Sequence, residues 1–287
     1  MFKREEVPVR DPFVMLDGDT YYMYGTRPET VWGHATGFDV YKSSDLENWE
    51  GPFEVFHKTN GFWADMQYWA PEVKKYRGKY YLIATFGSEA KKPVKGIQVL
   101  AADQPTGPFY PLTKKPITPD GWDCLDGTLY FEDDQVWMVC SHSVPQEPRG
   151  EMCLFKLAPD LIKVVGHHQT LFFAEDVSWS QDLPFAKQEF GINHGYFSDG
   201  PYLFKQDGKL CMLWSTWYNN DYAMAVSYSA SGKIQGPWKH PTKPIIEHGG
   251  HGMVFRDKNG VLNVTYHSPN DTPNERAVFI PINSINC

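Results

Sequence analysis

Five copies of one hairpin pattern, recurring along 287 residues, predict an all-β chain folded as a five-bladed β-propeller, a single domain over residues 1–287. Each copy is a tight turn followed by an aromatic or aliphatic run. They are Asp17-Gly18-Asp19-Thr20-Tyr21-Tyr22-Met23-Tyr24, Arg77-Gly78-Lys79-Tyr80-Tyr81-Leu82-Ile83, Asp133-Asp134-Gln135-Val136-Trp137-Met138-Val139, Asp207-Gly208-Lys209-Leu210-Cys211-Met212-Leu213-Trp214 and Asn259-Gly260-Val261-Leu262-Asn263-Val264-Thr265-Tyr266. The turns fall at 18, 78, 135, 208 and 260, a loose period that fits several strands per unit and leaves no room for long helices. A second element, Gly51-Pro52-Phe53, Gly107-Pro108-Phe109 and Gly236-Pro237-Trp238, sits in the outer part of units one, two and four.

Composition agrees. The 10 Trp, 16 Tyr and 18 Phe suit the wedge-shaped spaces between blades, where bulky rings bury much area, and 24 Gly and 22 Pro mark the turns. A formal charge of −8 argues against nucleic acid as a partner. No apolar run approaches the ~18 residues of a membrane helix, and the start Met1-Phe2-Lys3-Arg4-Glu5-Glu6 has no hydrophobic leader, so the expected setting is cytoplasmic, away from membranes. The five cysteines, without a Cys-x-x-Cys pair, are expected to be reduced.

Seven to nine residues before each turn lies a short unusual element: Arg10-Asp11-Pro12, Trp69-Ala70-Pro71-Glu72, Leu125-Asp126-Gly127-Thr128, Ser198-Asp199-Gly200-Pro201 and Gly249-Gly250-His251-Gly252. The first strand of a propeller blade lines the central axis, so equivalent elements of all blades converge there. Asp beside Gly or Pro is ordinarily a turn residue. The common phase of Asp11, Asp126 and Asp199 sets them apart from Asp17 and Asp207, which belong to the hairpin turns. Carboxylates crowded on an axis repel one another and are partly desolvated, which separates their pKa values as acid/base catalysis requires.

These ordered elements, spread over essentially the whole chain, resemble glycoside hydrolase family 43. The resemblance implies an inverting, exo-acting glycosidase that removes a terminal pentose, α-L-arabinofuranosyl or β-D-xylosyl, from oligosaccharides. It further implies Asp11 as general base, Asp126 as the carboxylate that tunes and orients the acid, and Asp199 as general acid. At 199 the family usually has glutamate; aspartate is one methylene shorter and sets the carboxyl group back by roughly 1 Å, a displacement that can cost ~10²-fold in rate. The chain is therefore either a member with an adjusted pocket or a weakened one, and a non-catalytic carbohydrate-binding propeller and a galactosidase or galactofuranosidase are the alternatives. A different acid could come from the long fourth unit, through Glu175, Asp176, Asp182 or Glu189, in an insertion expected to cover the pocket mouth.

Inversion requires the Asp11 and Asp199 carboxyl groups on one pocket, roughly 6.5–9.5 Å apart. By the same resemblance His251, between glycines that would let backbone and ligand approach closely, points into the axis and helps hold calcium or sodium there. Trp69 is the first candidate for a ring stacked on the sugar, followed by Trp32 and Trp217. Arg10 and Arg256 are the basic residues near the motifs, and Arg256 joins the expected substrate-binding set. His167-His168 is read as an exposed pair. Phosphate loops, dinucleotide fingerprints, zinc-protease and serine-hydrolase motifs are missing from the sequence.

Overall fold

The structure, a computed structural model, describes residues 1–91 and 95–281, and these form five antiparallel sheets arranged as blades. The innermost strands are Arg10–Asp17, Met66–Tyr76, Cys124–Glu132, Asp199–Gln206 and Gly250–Arg256. Each hairpins into a second strand: Thr20–Thr26, Lys79–Gly87, Gln135–His142, Lys209–Tyr218 and Leu262–Ser268. The five predicted hairpins are thus the first two strands of the five blades. Gly51-Pro52, Gly107-Pro108 and Gly236-Pro237, the recurring outer elements, are all cis peptides.

The aromatics do fill the wedges. Between blades one and two, Phe38, Phe56, Phe62, Tyr68 and Phe86 pack edge to face, with Tyr68 and Phe86 centroids 4.8 Å apart. Trp179 and Trp214 pack between blades three and four. Cys124, Cys140 and Cys153 are free and buried, but Cys211 is disulfide-bonded, which corrects the expectation of reduced thiols throughout; Cys287 lies outside the described residues.

Every innermost strand carries a bulge at the same place, where its register against the second strand shifts. The bulge residue has positive φ in all five: Asp11 at 53°, Ala70 at 47°, Asp126 at 58°, Gly200 at 55° and His251 at 49°. Opposite the bulges the second strands place Thr26, Thr85, Ser141, Ser215 and His267, across from Arg10, Trp69, Leu125, Asp199 and Gly250. These side chains tie each blade to the next. Thr26 Oγ1 accepts from the N–H of Ala70 (2.8 Å), Thr85 Oγ1 from Asp126 (2.8 Å) and Ser215 Oγ from His251 (2.8 Å). Ser141 meets Ser198 at 2.9 Å, and the ring closes where the Asp11 N–H donates to Nδ1 of His267 at 3.3 Å.

The second strand must approach this bulge closely. At Gly25 an added Cβ would lie 2.2 Å from Val9 Cγ2 and 2.6 Å from the Arg10 carbonyl oxygen. Gly25→Ala is therefore expected to destabilise the protein by about 1–3 kcal/mol through overpacking, read as a fall in Tm of several degrees in a thermal melt; an unchanged Tm would mean the two strands can separate at no cost.

Candidate active site

The bulges turn Asp11, Asp126 and His251 inward, and the strand start adds Asp199. A small cavity on the axis, about 70 Å³, is lined by all four together with Arg10, Val31, Trp32, Trp69, Leu125 and Tyr222. Asp11 and Asp199 thus face one pocket, as the inverting assignment requires. It opens into a larger cavity of about 700 Å³, within the range of small-molecule sites.

The three aspartates do not share one phase. Asp11 and Asp126 are bulge residues, but Asp199 precedes its bulge and is equivalent to Arg10, Trp69, Leu125 and Gly250. Its side chain therefore enters the pocket from a different height than the other two carboxylates.

The imidazole of His251 sits between Asp11 and Asp126, with Nδ1 3.4 Å from Asp11 Oδ1 and 3.5 Å from Asp126 Oδ2. Burial opposes charge on this imidazole, yet the carboxylates of Asp11, Asp126 and Asp199 raise its pKa above the ordinary histidine value. The glycine before it makes room for protein rather than ligand: a Cβ at Gly250 would lie 2.6 Å from the Tyr222 ring.

The carboxylates are driven apart electrostatically. Burial would raise Asp11, but the charges of His251 and Arg10 outweigh it and hold this carboxyl well below the usual range. Thr26 also donates to its Oδ2 at 2.6 Å. For Asp199 the charges of His251 and Arg10 do not suffice: burial first, and then the charge of Asp126, push it up to about 8. Burial raises Asp126 as well, although the Gly200 N–H donates to its Oδ2 at 3.0 Å. At neutral pH the pocket thus holds an ionised Asp11 and a protonated Asp199. Oδ2 of Asp199 faces the Tyr222 hydroxyl at 3.4 Å, while Oδ1 is buried with no hydrogen-bond partner and can donate to a bound ligand.

Trp69 is fixed by its Nε1, which donates to the Val31 carbonyl at 2.6 Å, and it meets the exposed Trp32 edge to face at 5.7 Å. Arg10 lies 5.7 Å over the Trp32 ring and bonds Asn270 and Glu275 at 2.8 and 2.9 Å. Trp217 lines the outer cavity with Phe185, Phe190 and Phe197, and its buried Nε1 has no partner. The expected cover over the mouth is there in the segment before blade four, but of its acids only the exposed Glu189 lines the cavity. Glu175 and Asp176 bind Arg149, and Asp182 accepts from the Gly195 N–H.

Arg256 does not belong to the site. It ends its strand near the hairpin turn, five residues beyond His251 and so roughly 16 Å along the strand at ~3.3 Å per residue, where its Nη1 donates to the Gly260 carbonyl at 3.0 Å. His167 and His168 are both exposed, as expected, with His168 lying against Trp122 and 3.6 Å from Glu151. Tyr222 and His267 had no motif to announce them. Tyr222 comes from the third strand of blade four, and His267 could have been found by pairing each hairpin outward from its turn.

A five-bladed propeller whose axial pocket gathers three carboxylates, one held ionised and one protonated, is the framework of a glycoside-cleaving enzyme. The chain belongs to the glycosyl hydrolases family 43, whose family model matches residues 6–282, and it is a glycosidase that hydrolyses glycosidic bonds. Among solved structures it is similar to an endo-arabinase from Bacteroides thetaiotaomicron, at 34% identity and a TM-score of 0.88, covering 99% of this chain and 97% of that one. Among characterised proteins it resembles the extracellular exo-alpha-(1->5)-L-arabinofuranosidase of Cellvibrio japonicus, 24% identical over 92% of this chain and 76% of the relative. The beta-D-galactofuranosidase of Aspergillus niger is also 24% identical, over 93% of this chain and 76% of its own length.

Proposed function

We propose that this glycosidase releases terminal α-L-arabinofuranosyl residues from oligosaccharides with inversion, Asp11 acting as base, Asp199 as acid and Asp126 as the carboxylate that keeps Asp199 protonated. The observation that carries this reading is the opposite displacement of Asp11 and Asp199 within one small pocket. Asp11 takes a proton from water as that water attacks the anomeric carbon. Asp199 passes its proton to the departing glycosidic oxygen, and the Asp126 charge that raised its pKa favours its reprotonation from solvent. The axial cavity suits one sugar ring set against the wall of Trp69 and Trp32, and Arg10 offers donors to its hydroxyls. The wider apolar chamber lined by Trp217, Phe185, Phe190 and Phe197 then takes the leaving group.

The similarity to arabinan-cleaving relatives favours arabinofuranose over xylose, and the likeness to the galactofuranosidase makes galactofuranose the second candidate. A panel of nitrophenyl α-L-arabinofuranoside, β-D-xyloside, β-D-galactoside and β-D-galactofuranoside tests it, with arabinofuranoside turned over fastest and the released sugar of inverted configuration by NMR. Retention, or binding without turnover on all four, would reject the reading.

A further inference from the structure

The resemblance that brought His251 forward also implies a calcium or sodium ion on the axis, and His251, with its Nδ1 held between carboxylates, keeps the Nε2 lone pair for one. Ligand atoms of a different chemistry converge away from the axis, in blade three. There His142, Glu151 and Cys153 each place one such atom within 4.8 Å of the others.

Strand pairing builds this cluster. The second strand of the blade, Gln135–His142, runs against the third, Glu151–Leu157, which sets His142 opposite Glu151 and Cys140 opposite Cys153. Alternate residues of a strand share a face, so Glu151 and Cys153 stand side by side with His142 across from them. Both are buried, and His142 is half-buried. The Cys153 thiol bonds the Glu151 carboxylate, whose Oε1 also accepts from Thr170.

The imidazole of His142 lies flat on Trp122, with centroids 4.2 Å apart, and its Nε2 is 2.8 Å from Gln146 Oε1. That amide has one orientation: its Oε1 accepts from the Asp123 N–H at 2.8 Å and its Nε2 donates to the Gly121 carbonyl at 2.7 Å. His142 Nε2 therefore carries a proton, and Nδ1 faces Glu151 Oε2 at 3.1 Å. In the neutral ring this nitrogen presents a lone pair to a carboxylate oxygen, and two acceptors meet so closely only across a proton or a metal ion. A proton would serve the imidazole and the carboxylate alone; a metal ion also recruits Cys153. An imidazole whose far N–H is fixed by a protein acceptor is the usual arrangement of a metal-bound histidine.

We propose that His142, Glu151 and Cys153 bind a zinc ion through Nδ1, Oε2 and Sγ, with water in the fourth position. One imidazole, one carboxylate and one thiolate suit zinc, whereas calcium takes oxygen ligands. Zinc at about 2.0–2.3 Å from tetrahedral ligands holds them roughly 3.2–3.8 Å apart, so the cluster has to contract by about 1 Å at most. As the Zn–S bond forms, the Cys153 thiol gives its proton to solvent. The exposed His168, with Nε2 3.6 Å from Glu151 Oε1, stands beside the cluster. His142 and Glu151 flank the loop 143–150, whose Ser143 and Val144 line the outer cavity, so zinc ties down the base of that wall.

Purified protein stripped with EDTA and then freed of chelator is titrated with zinc chloride by calorimetry. Wild type is expected to take up zinc with micromolar or tighter affinity, undisturbed by excess calcium, and to melt several degrees higher with it. Cys153→Ser and His142→Gln should each lose this uptake, and Gln146→Leu, which removes only the acceptor that fixes the imidazole, should weaken it about 10–100-fold. Zinc uptake that survives unchanged in both ligand variants, or no uptake by wild type, would overturn the proposal. Cobalt(II), which accepts the same ligands, provides a reading on wild type itself where a variant fails to fold: a thiolate-to-metal charge-transfer band in the near ultraviolet is expected, and its absence from the cobalt-loaded protein would count against Cys153 as a ligand and so against the site.

Discussion

Asp11→Asn is expected to lower kcat/KM by about 10³-fold, within the range general-base catalysis supplies, while binding of the released sugar changes little. The amide keeps the shape of the side chain and can still meet Thr26, but it cannot take the proton from the attacking water. Because the ring of inter-blade hydrogen bonds uses the Asp11 backbone N–H and not its carboxylate, the variant should fold and melt like wild type. Steady-state kinetics on the preferred nitrophenyl glycoside, with isothermal titration of the free sugar, checks this. A loss below tenfold would remove Asp11 from the role of base.

The second large effect concerns Asp199. Its carboxyl, pushed up to about 8 by burial and by Asp126, is in its acid form at neutral pH and loses its proton as pH rises through that value. The profile of kcat/KM against pH, which reports the free enzyme, should accordingly show an alkaline limb near pH 8. Asp199→Asn should abolish this limb and slow substrates with sugar leaving groups by about 10²–10⁴-fold, the range of general-acid catalysis, with a far smaller loss on an aryl leaving group that departs without a proton. Asp199→Glu should not improve the enzyme: the added methylene would enter a cavity of about 70 Å³, already fitted to the shorter side chain, and displacement of this order can cost ~10²-fold. A gain in rate with glutamate would show that the aspartate is a defect. An alkaline limb that survives in Asp199→Asn would assign the acid to another group.

The fold was legible because a blade is a local object. Turn, strand and spacing are written in consecutive residues, and five repetitions of that text left one architecture. The candidate site was legible only where it is equally local. Asp11, Asp126, Asp199, His251 and Trp69 stand at or beside the bulges, at fixed distances before the turns, and all five line the axial pocket. What joins them was hidden. Thr26, Ser215 and His267 reach the axis by cross-strand pairing, and Tyr222 does so from a third strand with no repeated motif. Arg256 marks the complementary limit: nearness in sequence to Gly250-His251-Gly252 is not nearness in space, because an extended strand carries each residue ~3.3 Å further away. Lys74 reads in sequence as one more strand lysine beside Lys75. Only the packing shows its ammonium bonded to Thr128 and to the Leu129 carbonyl on the neighbouring blade.

The hydrogen bonds that pass from each blade to its neighbour also make the pocket a property of the circle and not of any blade. The three carboxylates come from blades one, three and four, so a chain ending after the fourth would still encode all of them. It would lack His267, against which the backbone of Asp11 is seated, and His251, whose charge keeps Asp11 ionised. The proposed base therefore meets its partners only when blade five has closed against blade one, and an unclosed ring would carry the three carboxylates without the contacts that set Asp11.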